Sequence, residues 1–276
     1  MNLAAKVAGA AAVAVAGYAG LVEPRRLVVR RTTLALPRWP AALDGLRVGV
    51  MSDFHGGAPH AGEAAIGRWV ARMNAERPDV VLLGGDFTDA HFLFGGRLAP
   101  ERIAERLAVL EAPLGSFAVL GNHDWQQFGM RMWMALTRAG IPVLENEAVA
   151  LDAPGGRFHV AGLADMRHRR PSVATALAAV PAGAPVLVLS HDPDLFPHVP
   201  DRVALTVAGH THAGQIALPY LRRPFIPSRY GERFVRGHVV EGGRHLVVSA
   251  GLGTSGIPAR LLAPPELLVL ELRPTG

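Results

Sequence analysis

The sequence predicts an α/β domain with mixed strands, preceded by a separate N-terminal segment. Short β-branched runs end in polar clusters, and helix-like stretches lie between several of them. Before them comes an uncharged apolar run followed by arginines. The 276 residues suffice for a sizeable core. No internal repeat or long low-complexity linker divides residues 45–276, which read as one domain behind residues 1–44.

Residues 7–22, "VAGAAAVAVAGYAGLV", stand between Lys6 and "EPRRLVVRR". These sixteen residues fall just short of the roughly 17–25 that cross a bilayer. A signal peptide carries its positive charge ahead of the apolar run, whereas most of it follows here. The expectation is an uncleaved anchor or membrane-associated helix with a basic linker behind it. A cleaved signal and a buried helix are the alternatives. The positive-inside rule then favours the cytoplasmic face of the inner membrane over export. Arg25, Arg26, Arg30 and Arg31 would face anionic head groups.

The domain opens on the strand-like "LRVGVMSDFH", followed by a helical stretch over 61–76. "DVVLLGGDFTD" and a helix over 100–110 come next, then "GSFAVLGNHD" and a helix over 126–139. "APVLVLSHDPD" and "VALTVAGHTH" complete the set. Apolar on both faces, these runs read as buried strands. "RGHVVEGGRHLVVSAGLG" reads as a hairpin turning at Gly242–Gly243, and "LLVLEL" as a last strand.

The isoelectric point is near 10.5. Residues 1–44, with six basic and two acidic side chains, hold four of the five net positive charges. The rest of the chain therefore lacks the basic footprint of a duplex binder, and no nucleic-acid duplex is expected as partner. Cysteine is absent, so a metal here must be held by imidazole, carboxylate or amide oxygen.

Five strand ends carry such groups: Asp53 and His55; Asp86; Asn122, His123 and Asp124; His191; and His210 with His212. A single polar strand end is ordinary turn chemistry. Five in succession, on a rim where open α/β sheets place their sites, point to a shared centre. The count suits two divalent ions clamping a displacement at phosphorus. Asp86 is the natural bridging carboxylate, and Asn122 offers a neutral amide oxygen. In extended backbone, residues i and i+2 share a side. Asp53 and His55 can thus bind one ion, while His210 and His212 reach one site with Thr211 turned away.

In this order "SDFHGG", "GGDFTD", "GNHDW", "SHDPD" and "GHTHAGQI" resemble the calcineurin-like metallophosphoesterase superfamily over residues 52–216. "VSAGLGTSGIPARLLAPPEL" resembles a narrower membrane-associated bacterial branch, which includes a UDP-2,3-diacylglucosamine hydrolase of lipid A synthesis. Ala213 stands where that branch commonly has glycine; the departure adds a methyl group and leaves the ligands untouched. The resemblance implies a four-layer α/β/β/α sandwich of two mixed sheets. It implies one ion on Asp53, His55, Asp86 and His212, and a second on Asp86, Asn122, His191 and His210. His123 would be the general acid, Asp124 its orienting partner, and a hydroxide between the ions the nucleophile. Manganese is the expected metal, with iron or zinc also suiting the donors.

The implied activity is hydrolysis of a phosphate ester or lipid-linked pyrophosphate at a membrane. Its rivals are a general phosphodiesterase or phosphatase on soluble or exported substrates, and a non-catalytic metal-binding scaffold. Arginines of 167–170 and 221–230 are candidates to grip a second phosphate or a lipid head group. His60 and His91 are possible pocket residues, and "GLGTSG" at 251–256 reads as a tight turn near the metals.

Overall fold

Strands that are apolar on both faces need cover on both, and two stacked sheets with outer helices supply it. The computed structural model describes residues 3–89, 96–219 and 222–275. The chain runs through α1 (Leu3–Gly17), β1 (Val28–Leu36), β2 (Leu46–Met51), α2 (Glu63–Asn74) and β3 (Val80–Leu83). Next come α3 (Pro100–Leu107), β4 (Ser116–Ala118), α4 (Asn122–Gln127), α5 (Gly129–Arg138), β5 (Glu147–Ala153) and β6 (Gly156–Gly162). The remainder is α6 (Val173–Ala176), β7 (Val186–Leu189), β8 (Leu205–Ala208), β9 (Gly237–Glu241), β10 (Arg244–Val248) and β11 (Glu266–Pro274).

One sheet has the order β1-β11-β2-β3-β4 and the other β5-β6-β7-β8-β10-β9. Both are mixed: β2, β3 and β4 are parallel while β11 runs against β2, and β6, β7 and β8 are parallel while β5 runs against β6. Period-two alternation divides each strand between two cores. Val48, Val50, Val80 and Leu82 meet Phe158, Val160, Leu187 and Leu205 between the sheets. Met51, Val81 and Leu83 face outward onto Ile66, Val70, Ile103 and Leu136 of α2, α3 and α5. Over the second sheet the outer layer is thinner, formed by the one-turn α6 and by 3-10 turns carrying Leu195 and Phe196. The expected four layers are present. The β9–β10 hairpin turns at Gly242 and Gly243, whose φ values of 56° and 73° are the left-handed pair that such a two-residue turn requires.

The N-terminal boundary differs from the expectation. Residues 28–36 are not linker but β1, paired in parallel with β11 from Val28↔Glu266 to Leu36↔Pro274. Leu34 and Leu36 belong to the inter-sheet core, and Trp39 packs edge-on against Phe158 of the opposite sheet. Arg31 forms a two-point ion pair with Glu76 (2.7 and 2.8 Å), and Arg30 pairs with Glu266 at 2.6 Å. These two arginines serve the domain, leaving Arg25 and Arg26 exposed where the helix enters. Local pattern could not show this, because a parallel partner more than two hundred residues away leaves no mark on the segment itself.

The apolar segment is also longer than the uncharged run suggests. Helix α1 continues through a wide π turn (Tyr18–Val22) and a 3-10 turn (Glu23–Arg25), giving 23 residues. At 1.5 Å per residue that is about 35 Å, enough to cross a hydrocarbon core of about 30 Å. None of the residues of α1 is buried. Burial begins at Ala19, Glu23 and Pro24, where the helix meets the domain.

Placing β1 in the core has a measurable consequence. Leu36→Ala should cost about 2–5 kcal/mol of unfolding free energy in a denaturant titration, as for a leucine lost from a packed interior. A loss within experimental error would return residues 28–36 to a linker.

Candidate metal centre

The loops that leave β2, β3 and β4 of one sheet and β7 and β8 of the other bring together all seven residues expected as ligands. Asp53, His55 and His212 offer ligand atoms within 4.8 Å of one another, and so do Asp86, His191 and His210. In the first group His55 Nε2 is 3.0 Å from His212 Nε2, which is 3.5 Å from Asp53 Oδ1. In the second, His191 Nε2 is 3.1 Å from His210 Nδ1 and 3.2 Å from Asn122 Oδ1. Asp86 Oδ2 stands between the groups, 3.7 Å from His55 Nε2 and 3.3 Å from His191 Nε2. Atoms sharing one ion at about 2.0–2.2 Å lie about 3.0–3.6 Å apart, so the spacing suits two ions with Asp86 common to both.

The chemistry of the second group makes the same point. His191 Nδ1 donates to Gly84 O at 2.7 Å, so in the neutral ring the lone pair is on Nε2. With a metal bound, that lone pair, the Asn122 amide oxygen and a carboxylate oxygen would serve as three donors to one cation; without it, a proton on Nε2 bridges to Asp86 Oδ2 at 3.3 Å. Burial would lower the His191 pKa, yet the Asp86 carboxylate outweighs it and holds the imidazole well above its usual value. Asp86 is held well below the carboxylate range: burial opposes ionisation, but the charges of His191 and His123 prevail. His210 and His212 are driven well down, chiefly by burial, and so stay in the neutral form that binds metal.

The two carboxylates are braced from behind. Asp86 Oδ1 accepts the His123 N–H at 2.8 Å, at the first turn of α4, which leaves Oδ2 for the centre. The Asp53 carboxylate accepts the His210 N–H (3.0 and 3.1 Å) and the Ser52 hydroxyl (2.6 Å). Burial nonetheless raises the Asp53 pKa. Gly121 is needed for close approach: a methyl there would collide with Asp86 Oδ1 and stand 2.6 Å from the Asp86 nitrogen.

The extended-strand reason for the His210/His212 and Asp53/His55 spacings does not hold. All four residues, and Asp86, have left-handed backbone, with φ between 45° and 69°. Such conformations cost about 1–3 kcal/mol each for ordinary residues and persist where surrounding structure compels them. They turn each side chain back over its strand end. Thr211 does point away, its hydroxyl donating to Val235 O at 2.7 Å. Ala213 is also left-handed (φ 55°), so its methyl carries a backbone cost as well as bulk, offset by packing against Ala250 and Ala263.

His123 stands edge-on to His55, ring centroids 4.8 Å apart, and lines a cavity of about 430 Å³ above the ligands. Its Nε2 is 3.4 Å from Ser255 Oγ. A third grouping within 4.8 Å joins His123 to His55 and Asp86. Asp124 does not perform the orienting task expected of it. Its Oδ2 caps its own helix at the Gly121 N–H (3.0 Å), and Oδ1 takes the Thr88 N–H and hydroxyl (2.9 and 3.1 Å). Burial first, and the Asp86 charge second, push its pKa up to about 7. A carboxylate three residues into a helix reaches back to the cap more readily than outward to a neighbour's ring.

Of the arginines proposed for substrate, Arg167 is the one among the described residues that lines the cavity, its guanidinium 2.8 Å from His210 Nε2. Arg169 pairs with Glu145, Arg222 with Glu232, and Arg229 with Asp194. His60 bonds Gly20 O at 2.8 Å instead of entering the cavity, and His91 lies outside the described residues. The "GLGTSG" loop does lie on the first motif, with Leu252 N–H on Ser52 O and Gly253 N–H on Asp53 O. Four residues escaped the sequence reading. Asp89 Oδ1 is 3.6 Å from His55 Nδ1, a buried nitrogen without a hydrogen-bond partner, and Asp192 Oδ2 is 3.5 Å from His210 Nε2. The acids of "GGDFTD" and "SHDPD" were the signal for both. Gln215 clamps the loop at Ser255–Ile257, and Arg260 lies fully buried beside His212; both stand inside the quoted motifs "GHTHAGQI" and "VSAGLGTSGIPARLLAPPEL", but no local pattern marks their partners.

Comparison with known proteins shows the family. Residues 46–214 match the family model described as calcineurin-like phosphoesterase. An uncharacterised metallophosphoesterase of Bacillus subtilis, YkuE, is 30% identical over 263 residues, covering 94% of this chain and 90% of that one. The phosphodiesterase YaeI of Escherichia coli is 34% identical over 203 residues, 71% of each chain. A transmembrane protein with a metallophosphoesterase domain from Danio rerio is 30% identical across 95% of this chain, which spans 61% of its length.

Because one carboxylate oxygen faces both groups, Asp86→Ala should lower bound metal more than any other single ligand change. Elemental analysis after purification in manganese checks this. Retention of full metal content would dismiss Asp86 as the bridge.

Proposed function

Since the chain belongs to the calcineurin-like phosphoesterase family and is a metal-dependent phosphoesterase, we propose that it hydrolyses a phosphodiester or pyrophosphate carried by a lipid. The observation that carries the chemistry is the pair of ligand groups meeting at Asp86 Oδ2. Asp53, His55, Asp86 and His212 would hold one ion, and Asp86, Asn122, His191 and His210 the other. Manganese suits these donors, as do iron and zinc. Two such ions, when bound, supply Lewis acidity to phosphoryl oxygens and acidify water at neutral pH.

The protein's own groups do the rest. His123 lines the cavity beside the ligands, and in this reading it would protonate the departing oxygen. Arg167 presents a guanidinium at the same cavity, suited to a phosphate that is not displaced. Phe225, Ile226, Pro227 and Ile257 form an apolar wall, which suits a substrate with a non-polar portion. The 23-residue apolar helix would hold the domain at a bilayer, with the cytoplasmic face favoured by Arg25 and Arg26. A diacylated nucleotide sugar such as UDP-2,3-diacylglucosamine combines these features.

His123→Ala should reduce turnover about 10²–10⁴-fold, with the loss smaller for a nitrophenolate leaving group that needs no proton. Metal content should stay near normal. Loss of one equivalent of metal would make His123 a ligand, as its closeness to His55 and Asp86 permits.

In mixed micelles, the full-length protein should cleave a diacylated nucleotide sugar much faster than the same compound without acyl chains. Equal rates would remove the lipid assignment and leave a general phosphodiesterase.

A further inference from the structure

The end of the apolar helix and the mouth of the metal cavity share one loop. Arg260 N–H donates to Ala19 O (2.9 Å), Glu23 Oε1 accepts the Ala263 N–H (2.7 Å), and His60 reaches Gly20 O. Three to five residues before Arg260, the same loop lines the cavity with Ser255, Gly256 and Ile257. Its frame is firmly held. The buried Arg260 guanidinium donates to the carbonyls of Ala250, Gly253 and Ala263, and the Gln215 amide holds Ser255 and Ile257.

From this braced loop two apolar side chains project outward: Ile257 is 47% exposed and Leu262 57%. Leu262 has a φ of 60°, a conformation that a leucine adopts at a cost and that here keeps it out of the core. Leu21 and Val22, at 62% and 50% exposed, stand at the helix end that this loop binds at Ala19 and Glu23. Arg25 and Arg26 are exposed beside them. Apolar side chains next to cations, continuous with a helix apolar on all sides, match the interfacial layer of an anionic bilayer.

We propose that the Ser255–Leu262 loop is a second membrane contact, at which Ile257 and Leu262 enter the interfacial layer and hold the cavity mouth against the lipid head groups. The proposal rests on reading α1 as a membrane helix, and it adds an orientation to that reading. A tether alone leaves the domain free to tumble, whereas this contact presents the metal centre to phosphate groups at the bilayer surface.

The absence of cysteine makes the test direct, because a single introduced cysteine is the only labelling site. Full-length Leu262→Cys, Ile257→Cys, Val13→Cys and Val109→Cys proteins would carry an environment-sensitive fluorophore in vesicles containing phosphatidylglycerol. Val109 is 63% exposed beyond α3, against the C-terminal end of α2. Labels at 262 and 257 should shift to the blue and be quenched by nitroxides on lipid, as at 13, while 109 remains in water. If 13 is inserted but 262 and 257 behave like 109, the contact is wrong and the anchor stands. If 13 stays in water, the membrane reading fails and the contact fails with it.

Discussion

A single buried carboxylate, Asp86, constrains the rest of the molecule. Its two oxygens have separate tasks: one accepts the His123 N–H, and the other faces an imidazole from each ligand group. For that to happen, loops from both sheets must converge. The first sheet brings Asp53, His55, Asp86 and Asn122, and the second brings His191, His210 and His212. The sandwich satisfies this because its parallel strands end on a common rim. The shared apolar layer between the sheets then sets the spacing of their loops.

Such a centre is costly for the apoprotein. Desolvation raises the pKa of Asp53 and lowers those of His210 and His212, while five ligands occupy left-handed backbone. The braces from Ser52, Gly84, Gly121 and Asp124 compel that arrangement. A cation among the acceptors offsets part of the cost, so metal binding and the stability of these loops are linked. Asp124 belongs to this account as a cap that fixes α4, and through α4 the N–H that orients Asp86.

Arg260 extends the same logic to the N-terminus. Its guanidinium lies 3.3 Å from His212 Nδ1, and its backbone N–H bonds the helix at Ala19. Burial lowers its pKa to about 10, still well above neutrality, so the group remains a cation. One loop thus braces His212 of the first ligand group, rims the cavity and receives the apolar helix.

By itself the sequence determined the α/β class, strands β2, β3, β4, β7 and β8 with the helices after the first three, the hairpin at Gly242–Gly243 and the five strand ends whose polar groups converge, but not β5 and β6. These are local properties: periodicity, turn chemistry and donor type are all written within a few residues. The tertiary structure alone decided that residues 28–36 form a strand, since their partner is β11 at the other end of the chain. It also decided that Arg30 and Arg31 bind Glu266 and Glu76, and that Asp124 caps a helix while Arg167, unlike Arg169 and Arg222, reaches the cavity. A charged side chain takes whichever partner the folded backbone places within about 3 Å, and that distance is not defined until distant strands have paired.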